Sequence, residues 1–284
     1  MSKKERLDQI LVSQGLCDSR AKAQGLIMGG KVKIDGVRVD KPGASVDLEK
    51  VLSGKLTLEV DSGPAYVSRG GLKLKKALET FDLTVTNRIC MDVGASTGGF
   101  TDCLLQHGAT RVISVDVGHG QLDWKLRQDQ RVRVLEKTNI RHLTPEDLNQ
   151  PDISLTVMDV SFISLKKTLP TAAMLMNLTD ETPSTEIIAL IKPQFEYKDY
   201  IKPGGGKKFD GVVKDTEEHR QILTGLLNDL TELMPGWNWL GLVDSETPGP
   251  KGNREFLLYG VFGEKNQDIP TIEDLIRQAL PKAL

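Results

Sequence analysis

The sequence predicts an α/β protein: a parallel sheet with helices on both faces and an antiparallel pair at one edge, preceded by a small α+β head. Three observations carry this expectation. Five apolar runs, at 88–94, 111–118, 131–138, 152–160 and 185–193, are mostly separated by helical patterns, and strands alternating with helices form parallel sheets. Near the end, "WNWLGLVDS" and "REFLLYGVF" are strand-like runs separated only by a loop, which suits an antiparallel pair at an edge. In the first sixty residues, Asp35-Gly36 stands between two short alternating runs, a strong signal for a tight hairpin.

The elements follow in order. Leu7, Ile10 and Leu11 fall at helical spacing. Ser19 suits the cap of a second helix, with Ala23, Leu26 and Ile27 as its apolar stripe and Gly29-Gly30 as its stop. A strand is expected over "LTLEV", 56–60, and the Gly-Pro break in "DSGPA" suits a linker. The expected divisions are a head over 1–60, a linker over 61–68 and a body over 69–284. In the body, Leu74, Ala77, Leu78 and Phe81 share a helical face. Further helices are expected over 164–178, 215–234 and "TIEDLIRQAL", and 202–214 reads as a basic, glycine-rich loop.

Composition bounds the function. The 284 residues are 39% hydrophobic and 27% charged, with a net charge of −2, as in ordinary globular proteins. The charge is uneven: residues 1–60 hold 11 lysines and arginines against 8 acids, +3, and the remainder 26 against 31, −5. A small basic head on an acidic body hints at an anionic partner for the head. Cys17, Cys90 and Cys103 have neither disulfide-framework nor zinc-site spacing, so a reducing, cytoplasmic setting is the default. The N-terminal residues do not read as a secretory signal, and runs such as "IIALI" are far shorter than the roughly 20 residues of a membrane helix. His107, His119, His142 and His219 are scattered, so no metal is expected.

"CMDVGASTGGFTDCLL", 90–105, is the stretch with chemistry in it. A strand, a glycine turn and a helix start form a cradle in which bare amides and the helix dipole face the crevice beyond the strand ends. The dinucleotide spacing G-x-G-x-x-G fails, because Gly94 is followed by Gly98-Gly99, and no Lys-Ser/Thr follows to make a phosphate loop. What remains, D-x-G-x-x-x-G-G-F, resembles the pattern of S-adenosylmethionine-dependent methyltransferases, above all the FtsJ-like RNA group. The candidate cofactor cradle is therefore Asp92, Gly94, Ala95, Ser96, Thr97, Gly98, Gly99 and Phe100. Asp116 and Val117 end the second strand, the acid placed for ribose hydroxyls, with Gly118 and 120–122 as adjoining wall. Asn139, after the third strand, is placed for adenine, and Asp159 ends the fourth.

Taken together, "SRAKAQGLIMGGKVKIDGV", "YVSRGGLKL", the glycine stretch, "MDVSFISL" and "ALIKPQFE" resemble the TlyA, or hemolysin A, family over nearly the whole chain. The head resembles the RNA-binding fold named after ribosomal protein S-four. The body resembles FtsJ-type 2′-O-ribose methyltransferases, which implies a Rossmann-like sheet, S-adenosyl-L-methionine as cofactor and a ribosomal RNA or ribosomal subunit, typically at a cytidine, as substrate. The family's Lys-Asp-Lys-Glu set falls on Lys73, Asp159, Lys192 and Glu255. A ribose hydroxyl is a weak acid, so attack on a methyl sulfonium needs a base or strong polarisation. In the implied roles Lys192 is the base, Asp159 positions it, Lys73 stands nearby and Glu255 completes the network. The bland alternative for each is a strand-end charge in a surface ion pair. Phe100 and Phe162 suit packing against the cofactor or stacking on a flipped base, although core packing is the commoner fate of a phenylalanine. The RNA face is expected from Arg20, Lys22, Lys31, Lys33, Arg38 and Lys41, extended by Arg69 and "GGGKK" at 204–208. Two other readings remain: a non-catalytic RNA-binding factor that senses S-adenosylmethionine, and a membrane-damaging protein, which no apolar span or cationic amphipathic helix supports.

Overall fold

The computed structural model describes residues 4–61, 63–149, 152–176, 178, 184–201, 209–263 and 268–280. By its contacts the chain divides into two compact units, Met1–Ala65 and Tyr66–Leu284.

The head unit runs β1 (Lys4–Arg6), α1 (Leu7–Ser13), α2 (Arg20–Met28), β2 (Val32–Ile34), β3 (Val37–Val39), β4 (Ser45–Asp47), α3 (Leu48–Leu52) and β5 (Leu58–Val60). Ser19 caps α2 by accepting from the Lys22 amide at 3.3 Å, which satisfies one of the helix's orphan donors. Asp35 and Gly36 both sit at positive φ, +50° and +76°, the backbone of a two-residue hairpin whose twist matches its strands. β2 is central in the sheet β3-β2-β5, and β1 pairs with β4 in a separate antiparallel ladder. Leu7, Ile10, Leu11, Ala23, Ile27, Val32 and Val46 form the head's core. The β1–β4 ladder and α3 are additions to the expected helix, helix and hairpin; at three to five residues each they are too short to carry a period.

The body unit runs α4 (Gly70–Thr80), β6 (Ile89–Val93), α5 (Gly99–Gln106), β7 (Arg111–Val115), α6 (Trp124–Arg127), β8 (Val132–Leu135), α7 (Pro145–Leu148), β9 (Ile153–Met158), α8 (Leu169–Met174), β10 (Glu186–Ile191), α9 (Pro193–Tyr200), α10 (Thr216–Leu233), β11 (Trp237–Asp244), β12 (Phe256–Phe262) and α11 (Ile272–Ala279). The seven-stranded sheet has the order β11-β12-β10-β9-β6-β7-β8. Its ladders are parallel from β10 through β8, and β12 is antiparallel to both β10 and β11. The expected edge pair is thus present. The central strands are buried on both faces: Met91 joins one core with Ile113, Ile187 and Leu226, while its neighbour Cys90 joins the other with Leu74, Val112 and Leu155. That burial explains why these strands read as continuous apolar runs.

The chain runs from β6 outward to β7 and β8 on one side, and β9 and β10 lie on the other. The order reverses between β6 and β9, and the crevice beyond the strand ends at such a point is where α/β sheets bind ligands. One expectation is corrected. Instead of a helix over 164–178 there is a short turn of 3₁₀ helix, Leu165–Lys167, and then α8. Pro170 has no amide to donate and falls in the first turn of α8, so a helix starts there rather than running through. The residues before it are left for a loop, 159–164, that borders the crevice.

Candidate active site

Two adjoining cavities occupy the switch point. The first is lined by charged and small residues, among them Arg69, Lys73, Asp159, Ser161, Lys192 and Glu255. The second has a more apolar wall from Val93, Val115, Val117, Ile140, Val160 and Phe162, with Asp116, Thr138 and Asn139 as its polar groups. Gly94, Ser96, Asp159 and Ser161 line both.

The glycine turn is shaped by the protein around it. Gly94 has φ +85°, and a Cβ there would lie 2.5 Å from the carbonyl oxygen of Asp159. A Cβ on Gly99 would collide with Ser68 Oγ and stand 2.9 Å from the Gly71 amide nitrogen, so α5 packs backbone to backbone on α4, the helix that carries Lys73. The bare backbone that marks a ligand cradle in the sequence therefore also brings Asp159 and α4 close to it. Ser96 holds a left-handed φ of +49°, unusual for a serine. Its amide donates to Asp116 Oδ2 at 2.8 Å and its hydroxyl to Gln121 Oε1 at 3.3 Å. Asp116 Oδ1 accepts the Gly118 amide at 2.6 Å. Each Asp116 oxygen thus carries one amide and keeps acceptor capacity for a hydroxyl.

Among the cradle residues, Ala95, Thr97 and Phe100 line the first cavity, Phe100 with its ring buried. Asp116, Val117 and Asn139 line the second; Asn139 Oδ1 is engaged as a cap, accepting the Arg141 amide at 3.1 Å. Asp92 and Gly98 line neither cavity. Asp92 is fully buried, accepts from Thr101 Oγ1 at 2.6 Å and leaves Oδ1 without a partner. Burial pushes its carboxyl up to about 7, opposed by the Thr101 hydrogen bond. The second cavity is thus an apolar slot that carries the Asp116 and Asp159 carboxylates.

The four residues of the implied tetrad converge as two pairs. Lys192 directly follows β10 and Asp159 follows β9. Lys192 Nζ lies 2.6 Å from Asp159 Oδ1, an ion pair without hydrogen-bond alignment, and its aligned hydrogen bond goes to Ser161 Oγ at 2.7 Å. Lys73 Nζ donates to Glu255 Oε2 at 2.5 Å. Gln194 Nε2 donates to Glu255 Oε1 at 3.2 Å, and Gly249 packs so closely on that oxygen that a Cβ would collide with it. Ser161, Gln194 and the 247–250 wall were not assigned from sequence. Ser161 and Gln194 lie inside quoted motifs, while the wall is a Pro-Gly loop whose partner is set only by the β11–β12 pairing.

In the head, Arg20, Lys22, Lys31, Lys33, Arg38 and Lys41 are all exposed. Lys22 is tied to Asp18 at 2.6 Å, and Lys33 stands 3.9 Å from Glu59. Arg20 instead lies against the buried Asp8, 2.9 Å from its Oδ2. The 204–208 loop lies outside the described residues. Among the described residues, no group of His, Cys, Asp or Glu is set to hold a metal, and no helix is long and apolar enough to cross a membrane.

The sheet order, the glycine turn at the switch point and the paired lysines define the body as a methyltransferase of the FtsJ kind. Residues 66–262 match the model of the FtsJ-like methyltransferase family, and residues 5–52 match that of the S4 domain. The chain belongs to the TlyA, or hemolysin A, branch of that family. It is 44% identical over 260 residues to the 16S/23S rRNA (cytidine-2′-O)-methyltransferase TlyA of Mycobacterium tuberculosis, covering 91% of this chain and 90% of that one. It is 38% identical over 258 residues to Hemolysin A of Brachyspira hyodysenteriae, 90% of this chain and all of that one. A solved structure from Streptococcus thermophilus matches with a TM-score of 0.65 and 39% identity over 98% of this chain and 96% of the other.

Proposed function

We propose that this protein transfers a methyl group from S-adenosylmethionine to the 2′-hydroxyl of a cytidine in ribosomal RNA, in the cytoplasm. The observation that carries the reading is Lys192, held by Asp159 and Ser161 where the two cavities meet. S-adenosylmethionine, when bound, supplies the electrophilic methyl. Asp116 would hold its ribose hydroxyls, Asn139 and the apolar wall its adenine, and the turn from Gly94 to Gly99 its tail.

The other cavity takes the nucleotide. As the 2′-oxygen bonds the methyl carbon and the methyl–sulfonium bond breaks, leaving a neutral thioether, the hydroxyl proton acidifies, and Lys192 as the free amine accepts it. Asp159 stabilises the ammonium that results and fixes its position. Lys73, fixed by Glu255, lines the first cavity within reach of the substrate's oxygen or phosphate. Phe162, 89% exposed at the rim, offers a face to an unstacked base. Arg20, Lys31, Arg38 and Lys41 supply phosphate contacts from the head, and Arg69 from the mouth of the first cavity.

The deciding experiment is methyl transfer from labelled S-adenosylmethionine to unmodified large and small ribosomal subunits, with Lys192→Ala alongside. Label on ribose that vanishes in Lys192→Ala supports the reading and identifies the subunit. Bound cofactor with no label on either subunit returns the non-catalytic sensor. Undiminished label in Lys192→Ala removes the lysine from the chemistry.

A further inference from the structure

One buried carboxyl has no part in the proposed chemistry. Glu196 lies on α9, four residues after Lys192, and is 1% exposed. Its Oε1 accepts the Leu165 amide at 2.8 Å, and its Oε2 is buried with no hydrogen-bond partner. Leu165 is where the loop that begins at Asp159 ends.

That loop is strained and exposed in its middle. Phe162 has φ +64°, a left-handed backbone that is costly for a bulky residue, and its side chain is almost wholly in solvent. Such a conformation persists only when its surroundings over-determine it. The loop's start is fixed in the sheet by the Asp159 amide, which donates to the Val93 carbonyl at 2.9 Å. Between its ends it meets the Lys192–Glu196 segment twice more: Ser161 Oγ accepts from Lys192 Nζ, and the Phe162 and Phe195 rings lie 4.8 Å apart, tilted by 46°. Glu196 closes the far end. Without it, the Leu165 amide loses its acceptor and the loop loses its second fixed point, while the glycine turn and Asp116 remain as they are.

We propose that Glu196 is a positioning residue: through Leu165 it clamps the 159–165 loop to α9, so that Asp159, Ser161 and Phe162 stand in fixed relation to Lys192. This rests on the methyl-transfer reading above for its catalytic consequence, but the clamp itself has a readout that needs no substrate. Gln keeps the acceptor at Oε1, and Ala removes it.

In Glu196→Ala, turnover falls about 100-fold, the scale of a misplaced reacting group. Affinity for S-adenosylmethionine, measured calorimetrically, falls less than turnover, by at most about tenfold, because the loop supplies Val160 and Phe162 to the wall of the second cavity while the glycine turn and Asp116 keep their contacts. Amide hydrogen exchange accelerates in 160–165 and not in β6 or α5. Glu196→Gln restores both turnover and exchange. The clamp is overturned if Glu196→Ala turns over like the wild type, if Gln is as slow as Ala, or if exchange rises across the whole body. Should Glu196→Ala fail to fold, the wild type decides: the clamp requires the Leu165 amide to exchange far more slowly than that of Ser161, and equal rates overturn it. A wild type that protects Leu165 yet methylates neither subunit overturns the methylation reading and leaves the clamp standing.

Discussion

Two lysine–carboxylate pairs line one crevice, and they differ in access rather than in chemistry. Lys73–Glu255 is closed at 2.5 Å and Lys192–Asp159 at 2.6 Å, and the two lysine side chains are 10% and 11% exposed. The carboxylates part company. Glu255 is fully buried, with Gln194 on its other oxygen and Gly249 packed over it, whereas the Asp159 side chain is 23% exposed and borders both cavities. A covered carboxylate holds its lysine at the first cavity in one place; a carboxylate that borders two cavities can exchange partners with whatever enters them. The same residue types at one crevice therefore divide into a fixed cation and a reacting group according to what covers their carboxylates.

The sharpest way to break that comparison is to unpair each side. Lys192→Met should lower turnover about 1,000-fold, within the range lost with a general base, and leave the urea unfolding midpoint close to that of the wild type. Glu255→Leu should act the other way round, costing about 3–5 kcal/mol of stability because Lys73 is left buried without a counter-charge. The double variant Lys73→Met/Glu255→Leu should recover most of that stability without recovering activity, as read by urea unfolding beside a transfer assay. If Glu255→Leu unfolds like the wild type, the pair is not sealed. Gly94→Ala comes next, because its Cβ would press on the Asp159 carbonyl at a φ that favours glycine. Its cofactor affinity should fall about 10-fold or more, a tenfold loss being 1.4 kcal/mol.

A smaller effect separates buried from open carboxylates by pH. Burial lifts Asp92 from its ordinary 3.8 to about 7. The native state then holds a proton that the unfolded chain releases, so the stability this proton brings is lost as pH rises from about 4 towards 7. The stability of the wild type relative to Asp92→Asn should therefore fall between about pH 4 and pH 7, measured by urea unfolding; a constant difference would place Asp92 among the open carboxylates. The smallest effect is expected at Lys22, whose exposed pair with Asp18 should leave the unfolding midpoint unmoved in Lys22→Ala.

Much of this was legible in the order of residues. The five parallel strands, the β11–β12 pair, the Asp35-Gly36 hairpin and the Ser19 cap all follow from local chemistry: apolar periodicity, the positive φ of a turn, an orphan donor at a helix start. So does the glycine turn at the end of β6, while the kind of ligand the crevice suits came from that motif's resemblance to S-adenosylmethionine-dependent methyltransferases. The helix expected over 164–178 failed at Pro170 through local chemistry as well, since a proline in an apolar pattern marks a beginning as readily as an interior.

What depended on tertiary structure was which residues meet. Lys73 and Glu255 are 182 positions apart and join only because β12 turns back antiparallel beside β10, setting Glu255 immediately before β12. Ser161 and Gln194 lie inside motifs that also hold Asp159 and Lys192, but their roles, like that of the 247–250 wall, depend on groups that other strands bring in. Gly94 and Gly99 look like ligand positions in sequence, yet the atoms their missing side chains would strike belong to Asp159, Ser68 and Gly71. Sequence by itself determined the elements and the class of site, because periodicity, capping and turn geometry act over a few residues. Only the folded sheet decided the two pairs and how differently they are covered, because burial is a property of neighbours far away along the chain.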